Sequence, residues 1–177
     1  MSSKPLQHIG IFFQRKLVFL FILVSGISML GVACSKNDDV PTVPTKLYFV
    51  DSRLMRLLPY DTQIIDAGTE DMAKSAIEQL VLGRDDNDNI RRVIPNIKNC
   101  LSVRVKDNIA YVDINSAVKD KVNYNRDIEK LFIYQIVNTL TSIKGIRFVK
   151  FTIDGVIHKD FIGFYDMRDT YKFTYPE

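Results

Sequence analysis

Two histidines and two cysteines are all that 177 residues contain, so nucleophilic and soft-metal chemistry have little to draw on. His8 and Cys34 lie in the N-terminal segment, which leaves His158 and Cys100 for the rest of the chain. A Ser-His-Asp or Cys-His pair would have to use His158, which stands beside Lys159 and Asp160, just after Asp154-Gly155. That position reads as a solvated loop rather than a catalytic centre. Zinc sites built from several Cys or His ligands are excluded by count. Asp85, Asn87 and Asn89 alternate like the first ligands of a calcium loop. The pattern then breaks, because Ile90 stands where the sharp turn needs Gly and Asn96 where a bidentate Glu is needed. A solvated loop beyond a helix end is the better reading. Cys100 precedes an alternating apolar segment and reads as a buried, inert thiol. Asn138 and Thr139 interrupt an otherwise apolar helical stretch. Such residues more often satisfy a neighbouring backbone group than mark a site, and the helical count turns Thr139 inward. No catalytic residue, metal site or cofactor is expected.

The N-terminus carries chemistry of another kind. Lys4, Arg15 and Lys16 precede the apolar run Leu17 to Val24, smaller residues continue to Ala33, and Cys34 follows. A basic n-region, an apolar h-region and a small-residue end describe a secretory signal. With a cysteine directly after it, the segment resembles a bacterial lipoprotein signal, although Gly31 stands where Leu or a relative is usual. That resemblance implies cleavage before Cys34, a lipid of the palmitate type on its sulfur, and anchoring at the extracytoplasmic face of the cell membrane. The alternative is an uncleaved helical anchor, for which Leu17 to Ala33 is only about long enough. Arg15 and Lys16 hold the N-terminus in the cytoplasm in either case. Residues 1–33 are therefore expected as signal, 34–45 as a polar, proline-containing tether, and 46–177 as one domain.

The formal charge of +3 does not point to an acidic partner. Three basic and no acidic residues fall in the first 33, leaving 21 basic against 21 acidic residues beyond them. A nucleic-acid binder would carry a basic stripe, and none is visible. With Cys34 used by lipid, Cys100 lacks a partner within the chain, so packing rather than a disulfide framework must hold the fold.

The elements follow from periodicity. Lys46 to Asp51 reads as a strand, and Arg53 to Ile65 as a mixed stretch able to add a short edge strand. Thr69 is the expected N-cap of a helix with Ala73, Ala76, Ile77, Leu80 and Val81 on one face, ended by Gly83. Leu101 to Val105 and Ala110 to Ile114 alternate around Asp107-Asn108 and predict a hairpin. A longer helix spans about Asn125 to Ile143; Val149, Phe151 and Ile153 make the next strand, and Phe161 to Tyr165 a further strand or ordered edge. The class is α+β, a single small βαββαβ-like sheet with two helices on one face. Ser102, Arg104, Lys106, Tyr111, Asp113, Lys150 and Thr152 should then form a wet face.

Four segments in order carry a family resemblance. They are Leu47-Tyr-Phe-Val-Asp51, Ala110-Tyr-Val-Asp-Ile-Asn-Ser116, the run from Phe132 through Lys144-Gly-Ile-Arg-Phe-Val-Lys-Phe-Thr-Ile-Asp-Gly155, and Ile162-Gly-Phe-Tyr-Asp166. Together they resemble the GerMN domain of sporulation and germination proteins. The resemblance implies the βαββαβ fold, no known catalytic activity, and frequent occurrence as envelope lipoproteins. Two departures are visible: Gly83 leads into Arg84-Asp-Asp-Asn-Asp-Asn89 rather than Gly-Pro, and only one such domain is present. The leading reading is a non-enzymatic domain that docks onto an envelope or membrane protein assembly, itself included, through an open face bearing Arg104, Lys106, Tyr111 and Lys150. The alternative is a peptidoglycan- or glycan-associated module using Tyr111 and Phe148 as stacking rings. A hydrolase using His158 is a third class.

Overall fold

The computed structural model describes residues 40–84 and 89–175. The signal, Cys34, most of the tether, and Asp85 and Asn87 of the calcium-like stretch lie outside the described residues.

The first strand, β1, runs Thr42–Asp51, so the last four residues expected in the tether belong to the sheet. It pairs antiparallel with a ten-residue β2, Arg56–Ile65, far longer than the expected edge strand. Pro59 is tolerated because it faces Tyr48, whose own N–H points away from β2 to Thr139. Neither residue of that pair owes the other a backbone hydrogen bond, which is where an edge strand can hold proline. A two-residue β3, Ile90–Arg91, pairs with the far end of β1.

Helix α1, Thr69–Leu82, starts one residue earlier than expected in its cap. Gly68 is the N-cap at φ 92°, a backbone region that glycine enters without strain, and Thr69 instead packs its side chain toward Gly145. At the other end, the Arg92 guanidinium donates to the Val81 and Leu82 carbonyls at 2.8 and 2.9 Å. Gly83 holds a φ of 73°, which favours glycine, and a Cβ there would push the Arg92 guanidinium, 2.6 Å away, off those carbonyls.

A second sheet follows. Strands β4, Leu101–Lys106, and β5, Ile109–Ile114, form the expected hairpin around Asp107 and Asn108, both at positive φ. A 3₁₀ turn at Ser116–Asp120 and helix α2, Arg126–Thr141, then lead to β6, Phe148–Ile153, which pairs parallel with β5. The α+β class and both helices are as the sequence implies, whereas the strands divide between two three-stranded sheets, β2-β1-β3 and β4-β5-β6. Phe161 to Tyr165 forms bends, closed by a single bridge between Asp160 and Asp166, and is not a strand.

Helix α2 is buried almost all round, including Glu129, Gln135, Asn138 and Thr139. Its N-cap is Asn125, whose side chain accepts from Ile128 N–H at 2.9 Å. Thr139 Oγ1 accepts from Tyr48 N–H at 2.9 Å, and Ser142 Oγ donates to the Lys46 carbonyl at 2.8 Å. These two side chains supply the β1 edge that β3 is too short to cover. Asn138 pairs with Thr174 through both amide atoms, at 2.8 and 3.2 Å, and pins the C-terminal segment. Glu129, with no exposed surface, accepts from Ile162 and Phe164 N–H at 3.2 Å each, which gives the 161–165 bends their shape without a strand. Phe161 from that loop stacks on Phe132 at 5.1 Å, with Tyr124 edge-on to both.

Thr139→Val keeps the shape and removes the acceptor, leaving Tyr48 N–H buried and unpaired. Urea unfolding should show a loss of about 1–3 kcal/mol, against about 1 kcal/mol for Thr139→Ser, which loses a methyl group only. Burial raises the Glu129 pKa, opposed by the N–H groups it accepts. A carboxyl raised on folding stabilises below its unfolded value, and that contribution is lost as pH rises through the folded value. Subtracting the Glu129→Gln stability profile from the wild-type profile should therefore leave a decline above about pH 4.3. The depressed carboxylates Asp51, Glu70, Asp154 and Asp166 act in the opposite sense, below their ordinary values, and cancel in the difference.

Candidate functional site: the open face of the second sheet

Alternation along β4, β5 and β6 sends one set of side chains into the core and the other outward. Leu101, Val103, Ala110, Val112, Ile114, Val149, Phe151 and Ile153 are buried against the helices. The outward set forms three rows by strand register. They are Lys106–Ile109–Phe148, Arg104–Tyr111–Lys150 and Ser102–Asp113–Thr152. Neighbouring strands lie about 4.8 Å apart, so Tyr111 stands directly between two cations. Arg104, Lys106 and Tyr111 are exposed, Tyr111 at 39%, and Lys150 is half-buried. All four candidate residues on the described chain thus share one face.

Each edge of this sheet is met by another segment. Glu70, in the first turn of α1, accepts from Val105 N–H at 3.0 Å and so caps the outer edge of β4. The hydrogen bonds from Lys74 and Val105 hold the Glu70 carboxyl below its usual range, and Lys74 also binds Asp71. On the other side, Tyr171 exchanges backbone hydrogen bonds with Val149 at 2.8 and 2.9 Å. That bridge occupies part of the β6 edge, and the outer face of the sheet stays accessible.

The charges on this face differ in their commitments. Asp113, its acid, accepts from Thr152 Oγ1 at 2.6 Å and from Gly155 N–H at 2.7 Å, fixing the turn after β6. Arg104, Lys106 and Lys150 make no hydrogen bond or ion pair among the described residues. Arg147 adds a fourth cation at the rim, its guanidinium carbon 5.9 Å from the Phe148 ring centre. Tyr111 and Phe148 are diagonal neighbours on adjacent strands. Period-two reading found the four face residues; the Arg147–Phe148 pair and the Glu70 cap depend on folding and left no sequence signal.

The other candidates separate from this face. His158 is exposed in the loop after β6. Cys100 is buried, and burial raises its thiol pKa, which makes it a poor nucleophile. Asn138 and Thr139 are the structural residues described above. Among the described residues no three His, Cys, Asp or Glu side chains gather as a metal site, and no helix is long and apolar enough to cross a membrane.

A small α+β domain with one uncommitted basic-aromatic face is the frame in which the comparisons fall. Residues 46–158 match the Germane family, described as sporulation and spore germination, and the chain belongs to that family. A solved Clostridium perfringens protein, described as a candidate lipoprotein, shares the fold at TM-score 0.54 and 22% identity, over 77% of this chain and 91% of its own. The first GerMN domain of the sporulation protein GerM from Bacillus subtilis does so at TM-score 0.51 and 24% identity, over 68% of this chain and 89% of its own. No curated protein matches the sequence.

Proposed function

We propose that this chain is a membrane-tethered, extracytoplasmic interaction domain without catalytic activity. It serves scaffolding or assembly at the cell envelope in sporulation or spore germination, and docks onto a protein assembly through the open face of the second sheet. The observation that carries this reading is the set of uncommitted cations, Arg104, Lys106 and Lys150, around Tyr111 on a sheet whose edges are each met by another segment. A partner that docks on this face can supply the countercharge for these cations and set its orientation by it. The lipoprotein-like segment ending at Cys34 supports the tether, as does the Clostridium relative's description. Family membership supports the process.

One observation favours a second reading. Tyr111 and Phe148 lie diagonally on one face with cations beside them, an arrangement able to stack a sugar ring of peptidoglycan.

The double variant Arg104→Glu/Lys150→Glu tests both. Neither side chain makes a hydrogen bond or ion pair among the described residues, although the Arg104 charge helps to lower the Glu70 pKa, so unfolding should shift by no more than about 1 kcal/mol. Affinity enrichment of the full chain from its own cells should then recover at least tenfold less of the membrane proteins that the wild type recovers. An unchanged partner set argues against the face. Retention of the wild type on purified peptidoglycan, lost in Tyr111→Ala, would favour the glycan reading.

A further inference from the structure

A cavity of about 260 Å³ lies at the opposite end of α2 from the entry of the tether, away from the open face. Its apolar floor is Leu57 and Leu131, both buried, with Met55 at the rim. Three charged side chains line it: Arg91 from β3, and Asp127 and Lys130 from the first turns of α2. Among the described residues none of the three makes an ion pair. The hydrogen bond that the Arg91 guanidinium makes among the described residues is a weak one, to Met55 Sδ at 3.8 Å. Asp127 and Lys130 make none, although Asp127 stands in the first turn of the helix. Met55 holds a φ of 50°, a conformation that costs a side-chain-bearing residue energy, and this turn sets its thioether beside Arg91. Its backbone is fixed there by Asp51, whose carbonyl accepts from Met55 N–H and whose carboxylate accepts from Arg53 and Leu54 N–H.

We propose that this cavity binds a small zwitterion of the free α-amino acid class with an apolar side chain. Two cations and one carboxylate lining a cavity with an apolar floor offer partners for a ligand carboxylate, ammonium and hydrocarbon at once. Arg91 and Lys130 take the carboxylate, Asp127 takes the ammonium, and Leu57, Leu131 and Met55 receive the side chain. The volume accommodates about nine water-sized groups, which suits a molecule the size of leucine. Pockets that combine an apolar lining with a few convergent polar groups are the usual form of small-molecule sites. This assignment is independent of the docking face and stands or falls without it.

The test is a titration of the isotope-labelled full chain in detergent micelles, followed by amide NMR. L-Leucine is the probe, with 4-methylpentanoate and 3-methylbutylamine as analogues that lack the ammonium and the carboxylate. Leucine should give saturable shifts at residues 55, 91 and 127 in the millimolar range, and each analogue should bind at least tenfold more weakly. Arg91→Ala gives up one weak contact to Met55 and Lys130→Ala no hydrogen bond among the described residues, so both should keep the spectrum of a folded domain. Each should weaken leucine severalfold or more. The proposal is overturned by the absence of saturable shifts up to 50 mM, a range set at about ten times the weakest expected affinity. It is also overturned by 4-methylpentanoate binding as well as leucine, or by both variants binding leucine unchanged.

Discussion

Helix α2 is enclosed by the fold, and an enclosed helix next to unpaired backbone must supply the missing hydrogen-bond partners. Three segments depend on it. The inner edge of β1 beyond β3 is met by Thr139 and Ser142, the C-terminal segment by Asn138, and the 161–165 bends by Glu129. Each of these is a backbone stretch that a longer sheet would otherwise have to pair. A single helix therefore replaces strands as the organiser of one side of the molecule. The apolar residues between its polar positions, including Phe132, Ile136 and Leu140, fill the core that the two sheets share with it.

That arrangement explains why the second sheet can present a face with no structural duty. Its inner face is packed, its β4 edge is capped by Glu70, and its β6 edge is bridged by Tyr171. On the outer face Asp113 and Thr152 contribute to the fold, Asp113 accepting from Thr152 and from Gly155 N–H. The cations beside it are left to solvent or to a partner, and exposed charges of this kind add little to stability. The residues that hold the fold and the cations that make no hydrogen bond or ion pair among the described residues are thus different residues of the same three strands.

Much of this sheet was legible before folding. Leu101 to Ile114 alternates cleanly around a turn pair tolerant of positive φ, and β6 repeats the pattern, so the outward set could be named residue by residue. Thr139 was readable as an inward residue from the helical count. The first sheet was not, because Pro59 and the mixed polarity of Arg56 to Ile65 argue against a long strand unless the register places proline on the free side. The burial of Glu129 had no signal in the sequence, because it depends on the 161–165 bends whose N–H groups it accepts. Gly68 replaced Thr69 as the cap because the chain enters the helix through a backbone region suited to glycine. The cavity near Arg91 draws on residues from Met55 to Leu131, and no local pattern joins them.

The account places recognition on the outer face of β4-β5-β6 and structure everywhere behind it. The direct measurement is site-specific photocrosslinking of the intact protein in its own cells. A photoreactive residue would replace Tyr111 on that face or Gln63 on the exposed side of β2. The account predicts a discrete protein adduct from position 111 and none from position 63. Adducts from position 63 alone, or the same adducts from both, would contradict it.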